Sequence, residues 1–113
     1  MEVVGAGSFH EPVMVREVLE ALEVAREGRI LDGTLGGGGH AEAMLRQWPG
    51  CRLVGVDRDP EASQVARKRL EPFSDRLRIL EMRFDQAVDD ARVKKEGLDG
   101  ALLDLGVSSW QLD

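Results

Sequence analysis

Residues Ile30 to Leu45 read ILDGTLGGGGHAEAML, with four consecutive glycines, Gly36 to Gly39, between an acid-ended apolar stretch and a helix-like pattern. Glycine is costly to order, so such a run has a local cause. Either the backbone bends where no side chain fits, or a ligand lies against it. A strand turning through glycines into a helix constrains what surrounds it, and the rest of the chain repeats the same alternation.

Apolar Val15, Val18, Leu19, Leu22 and Val24 follow Pro12 at near-helical spacing, which predicts an opening helix over Glu11 to Ala25, stopped by Gly28. Arg29 to Asp32 is a short strand, and His40 to Trp48 a helix ended by Pro49 and Gly50. LVGVD, Leu53 to Asp57, has the apolar character of a strand buried on both faces of a parallel sheet. Asp59 and Pro60 supply a cap and a first-turn proline for a helix to about Leu70. RLRIL, Arg76 to Leu80, is a third strand, Asp85 caps a helix to about Val93, and GALLDL, Gly100 to Leu105, is a fourth strand. Strand and helix alternating in this way predict a doubly wound α/β sheet.

In such sheets ligands sit beyond the carboxyl ends of the strands. Asp32 with the glycines, Asp57, Phe84 with Asp85, and Asp104 follow or end the four expected strands, all on one rim. Gly36, Gly38 and Ala41 fit G-x-G-x-x-A, a fingerprint shared by several nucleotide cofactors. Asp57, about twenty residues on, suits ribose hydroxyls in any of them. Asp32 discriminates further: a carboxylate before the glycine turn would repel a dinucleotide's pyrophosphate but suits S-adenosylmethionine, which carries an ammonium and a sulfonium. An acid binding backbone N–H groups in the turn is the structural reading of the same residue.

The 113 residues, 42% hydrophobic and 32% charged, are enough for one core. A single cysteine, Cys51, excludes an internal disulfide and a Cys-rich zinc site, and no metal is implied. Cys51 opens the second expected strand, away from the ligand rim. No apolar run has membrane-spanning length and no signal-peptide pattern is present, so the expectation is a cytoplasmic protein without membrane contact. The net charge of −6 is opposite to that of a domain gripping phosphates by itself.

HEPVMVREVLEAL, LDGTLGGGGHAEAML, VGVDRDPEA and above all LDGALLDLGVSSWQLD resemble the ribosomal RNA small-subunit methyltransferase H family, also called MraW, from His10 to Asp113. The resemblance implies a Rossmann-like class I S-adenosylmethionine-dependent methyltransferase sheet that methylates N4 of a cytidine in 16S ribosomal RNA at the decoding centre. It places cofactor contacts on Gly38, Gly39, His40, Asp57, Phe84, Asp104 and Gln111. Gly38 and Gly39 would admit close backbone approach to the methionine part, and Asp57 would accept from both ribose hydroxyls. Phe84 would lie against adenine or pack in the core, and His40 binds cofactor or caps and packs its helix.

DNA amino-methyltransferases typically carry a D/N/S-P-P-Y/F motif after the fourth strand, whereas here Asp104 is followed by Leu105-Gly106-Val107-Ser108-Ser109. Asp104, Ser108 and Ser109 are candidates for holding the amine hydrogens during attack, or else cofactor and turn residues. Family members continue through a helical substrate domain and further strands, so the resemblance implies that residues 1–113 are the N-terminal part of the cofactor-binding domain, with most of the RNA grip elsewhere. On that expectation the strand Gly100 to Leu105 is an exposed apolar edge, prone to self-association. Two other classes of function stand beside this one: a nucleotide-dependent oxidoreductase module, and a catalytically silent RNA-binding or ribosome-assembly factor.

Overall fold

The computed structural model describes residues 2–5 and 15–103. Five strands make one sheet: β1 (Glu2–Gly5), β2 (Arg29–Asp32), β3 (Arg52–Val56), β4 (Leu77–Leu80) and β5 (Gly100–Leu103). Their order is β1-β5-β2-β3-β4 and every pairing is parallel. Between them run α1 (Val15–Leu22), α2 (Gly39–Gln47), α3 (Pro60–Arg69), α4 (Phe84–Ala87) and α5 (Ala91–Glu96). Short 3-10 turns over Glu23–Ala25 and Glu71–Arg76 follow α1 and α3.

Successive strand residues point to opposite faces, and both faces are apolar. Ile30, Leu53 and Leu102 pack with Val18 and Leu22 of α1, Met44 and Leu45 of α2, and Ala66 of α3. Leu31, Val54, Val56, Ala101 and Leu103 pack on the other side with Ala87 of α4 and Val93 of α5. Helices on both faces of a parallel sheet give the doubly wound α/β architecture expected from the alternation.

Leu35, in the loop between β2 and α2, is buried against the sheet. A Cβ on Gly55 of β3 would stand 2.7 Å from Leu35 Cδ1, so the bare backbone there is what admits this anchor. Asp59 caps α3 by accepting from the Glu61 N–H at 2.9 Å, with Pro60 in the first turn, as its sequence predicts.

Three expectations are corrected. EVVG at the start forms a strand, unforeseen because four residues carry too little pattern to announce one. β1 pairs with β5, so β5 lies between β1 and β2 and is not the exposed edge expected of it, which removes the stated reason for self-association. The expected opening helix holds over its described part, as α1 over Val15–Leu22 and a 3-10 turn to Ala25, and residues 11–14 lie outside the described ones. The helix expected from Asp85 to Val93 is two short helices. Asp85 sits inside α4, and Asp90 caps α5 by accepting from the Arg92 and Val93 N–H groups at 3.0 and 3.1 Å.

Candidate functional site

The carboxyl ends of β2, β3, β4 and β5 open onto a cleft of ≈ 980 Å³, within the roughly 300–1,000 Å³ of small-molecule sites. Gly33, Thr34 and Gly36 line it from the loop after β2, and Val56, Asp57 and Arg58 from the end of β3 and beyond. Met82 through Asp85, with Val88, line it from the β4–α4 connection and α4, and Leu103 from β5. Apolar Val56, Met82, Phe84, Val88 and Leu103 thus face a rim of Asp57, Arg58, Arg83 and Asp85.

The loop after β2 is tied down from three sides. The Gly33 N–H donates to the Leu102 carbonyl at 2.7 Å, which docks the loop onto β5. Gly36 and Gly38 have φ of 45° and 93°, the left-handed region that favours glycine, and Gly38 caps α2 there. From outside, Arg69 at the end of α3 donates to Glu42 of α2 at 3.0 Å and to the Gly37 carbonyl at 3.4 Å. The Arg69 hydrogen bond, then that of Arg46, holds the Glu42 carboxyl below its ordinary pKa.

Two carboxylates occupy the inner side of this loop. Asp57 Oδ2 accepts the Gly36 N–H at 3.1 Å and Oδ1 the Asp59 N–H at 2.8 Å, so one side chain couples the loop after β2 to that after β3. Each oxygen keeps a second lone pair for a ligand hydroxyl. Asp32 is fully buried; its Oδ1 accepts both the N–H and the hydroxyl of Thr34, at 2.8 and 2.7 Å, while Oδ2 is buried with no hydrogen-bond partner among the described residues. Burial pushes this carboxyl above its ordinary pKa, the Thr34 hydrogen bonds and the charge of His40 opposing. The turn reading of Asp32 therefore holds for one oxygen and leaves the other unexplained.

The amides of Thr34 and Gly36 are thus already taken by the protein's own carboxylates. A glycine loop that cradles a pyrophosphate offers such amides to the ligand. This loop instead presents acceptor oxygens of Asp57 and Asp32, which suit a cationic ligand better than an anionic one.

The chain belongs to the MraW methylase family. The family profile matches residues 7–113. Two curated relatives, both ribosomal RNA small subunit methyltransferase H, are 50% identical over 107 residues (Thermotoga neapolitana) and 48% over 108 residues (Mycolicibacterium gilvum). Each match covers 92% of this chain, but only 35% and 29% of the relative, so the chain spans about a third of their length. Among solved structures, a Clostridium thermocellum protein described as an rRNA-methylase aligns with a TM-score of 0.62 at 16% identity, covering 87% of this chain and 56% of that one. Coclaurine N-methyltransferase bound to N-methylheliamine and SAH aligns with a TM-score of 0.55 at 13% identity, over 61% of this chain and 21% of that one. At these identities they establish the fold, the Rossmann-like one of S-adenosylmethionine-dependent methyltransferases.

Of the residues that the family resemblance singles out, Asp57 and Phe84 line the cleft. Gly38, Gly39 and His40 form the start of α2 beside it and are not among its lining residues; a Cβ on Gly38 would lie 3.3 Å from Leu70, on the α3 side. Asp104, Ser108, Ser109 and Gln111 lie outside the described residues. The structure adds Gly33, Thr34, Val56, Arg58, Met82, Arg83, Val88 and Leu103. Two signals pointed to some of them: Arg58 follows Asp57 directly, and Val88 stands four residues after Phe84, one helical turn on. Among the described residues no helix is long and apolar enough to cross a membrane.

Proposed function

We propose that this chain carries the S-adenosylmethionine site of an enzyme that methylates N4 of a cytidine in 16S ribosomal RNA at the decoding centre. Residues 1–113 serve as the cofactor-binding part, and a helical substrate domain carries most of the RNA contact. The observation that carries the reading is the combination of family membership with a glycine loop whose amides are held by Asp32 and Asp57. S-adenosylmethionine brings a methyl group on a sulfonium, which the exocyclic amine of cytosine attacks.

The residues present fit that ligand. The free lone pairs of Asp57 suit the two ribose hydroxyls, and Phe84 with Met82 and Val88 offers an apolar wall for adenine. Asp32 sets a negative charge, one residue from the cleft lining, for the ammonium and sulfonium. Gly38, Gly39 and His40 orient the methionine part at the start of α2, with Gln111 completing the cofactor contacts. Asp104, Ser108 and Ser109 hold the amine hydrogens while the nitrogen attacks in line with sulfur.

Titration of the chain with S-adenosylmethionine and with NAD tests the cofactor. The expected result is saturable S-adenosylmethionine binding, far tighter than that of NAD; equal or tighter NAD binding would favour the oxidoreductase reading. Labelled-methyl transfer to small-subunit RNA or particles, by a protein that carries this chain at the full length of the curated relatives, tests the reaction. The product maps to a cytidine N4. Methylation elsewhere refutes that assignment, and RNA binding without transfer supports the assembly-factor reading.

A further inference from the structure

The buried oxygen Asp32 Oδ2 has no role in holding the loop. Asp32 meets non-ionisable partners in the sheet, Gly55 of β3 and Leu102 of β5. The charged groups of the neighbouring elements are His40 on α2, whose field reaches Asp32, and Asp57 after β3, which is held by the Gly36 and Asp59 amides. Asp104, after β5, lies outside the described residues. An ionised oxygen buried from solvent, with no donor among the described residues, is expensive, and a neutral carboxyl is the cheaper state. A cation placed against Gly33 and Thr34, both in the cleft lining, reverses that preference, because it faces the carboxyl from one residue away.

We propose that Asp32 exchanges a proton with cofactor binding: it is a neutral acid in the cofactor-free protein and becomes a carboxylate when S-adenosylmethionine binds. This inference rests on the cleft being the S-adenosylmethionine site. The O–H bond at Oδ2 breaks, the electron pair stays on the carboxylate, and the proton passes to solvent, so one positive charge enters the site as one leaves. The coupling makes the site choose cations: an uncharged or anionic ligand has to bind beside a neutral carboxyl and gains nothing from its ionisation. By linkage, affinity for the cofactor rises about tenfold per pH unit below the pKa of Asp32 in the free protein and levels off above it.

The test is calorimetric titration of the chain with S-adenosylmethionine between about pH 5 and pH 8, in pairs of buffers that differ in ionisation enthalpy. Buffer-dependent heat equivalent to as much as one proton released per ligand, fading as pH rises, is the expected result in the unaltered protein. Asp32→Asn abolishes this release and flattens the pH profile. Binding without buffer-dependent heat at any pH, or release undiminished in Asp32→Asn, would each overturn the inference while leaving the cofactor assignment intact. Absence of S-adenosylmethionine binding at every pH would instead overturn the cofactor assignment on which it rests.

Discussion

At the amino ends of β2, β3 and β4, guanidinium groups meet acceptors that complete them; at the carboxyl ends, carboxylates meet backbone amides and one oxygen is left over. Arg29 pairs with Glu96 at 3.2 Å, Arg92 reaches the other oxygen of Glu96 at 3.0 Å, and Arg78 pairs with Asp90 at 3.3 Å. Arg76 donates to the carbonyls of Leu45, Trp48 and Cys51 at 2.8 to 3.0 Å, closing the C-terminal end of α2. Asp90 and Asp32 show the contrast within one residue type. The Val93 N–H, foremost, holds the Asp90 carboxyl below its ordinary pKa, whereas burial pushes Asp32 above it. One end of the sheet is a fastening. The other keeps unmet acceptors beside a cleft, and unmet acceptors are what a ligand can complete.

The largest effect should come from cutting the fastening. Arg76→Ala removes three hydrogen bonds from a charged donor and strands three carbonyls, a loss of about 3 kcal/mol in urea unfolding once partial exposure is allowed for. Cofactor affinity at the other end of the sheet should change little. A second readout is available at Cys51, whose thiol is pushed up to about 11 by burial. Thiol reagents should modify it slowly in the unaltered protein and faster in the variant. A variant equally stable but impaired in cofactor binding would show that the two ends are not separate.

Asp57→Asn should act at the open end, with a smaller cost to stability. The amide retains one acceptor oxygen for the two amides now held and loses the charge, so cofactor affinity should fall about tenfold, or about 1.4 kcal/mol, in a binding titration. Stability should fall by about 1 kcal/mol as well, because Asp57 is a tie between loops as much as a ligand residue. That double role was not legible in VGVDRDPEA, where Asp57 reads as a strand-end acid suited to ribose hydroxyls and its tie to the Gly36 amide has no local signal.

The alternation of strands and helices was legible because both faces of a parallel sheet are buried and its strands are continuous apolar runs bounded by turn residues. The Asp59-Pro60 helix start was legible for the same local reason, since cap and first-turn residue are neighbours in sequence. What failed was long-range or too short to see. β1 gains its identity from pairing with β5, ninety-eight positions away from Glu2 to Gly100. Asp85, Asp89 and Asp90 are equivalent as potential caps until packing of Val93 selects Asp90. The Asp32 reading was half right: its turn contacts follow from spacing, but the burial of Oδ2 is a property of the assembled sheet and loop.

The pH dependence of stability separates the two aspartates. A lowered pKa, as at Asp90, contributes stability present above about pH 4 that is lost as pH falls through the folded value. A raised pKa, as at Asp32, contributes stability present below about pH 4 that is lost as pH rises through the folded value. Asp32→Asn, titratable no longer, should therefore gain stability on the unaltered protein as pH increases from about 4 towards neutrality, in denaturant unfolding at a series of pH values. A constant difference between the two proteins across that range would mean that Asp32 titrates alike folded and unfolded.

The smallest effect separates an unmet oxygen beside the cleft from one that is merely buried. Ser63 on α3 is fully buried and its hydroxyl has no hydrogen-bond partner among the described residues, the same deficiency as Asp32 Oδ2, but Ser63 is not among the cleft-lining residues. Removing such a hydroxyl relieves desolvation and loses no bond, while leaving a void smaller than a methyl group. Ser63→Ala should accordingly be neutral or stabilising by up to about 1 kcal/mol in urea unfolding, with an unchanged S-adenosylmethionine affinity. Asp32→Asn should be the opposite case, more stable near neutrality and weaker in binding. If Ser63→Ala weakened the cofactor as well, an unmet buried oxygen would have no special meaning at the cleft, and the distinction between the ends of the sheet would need another basis than unsatisfied acceptors.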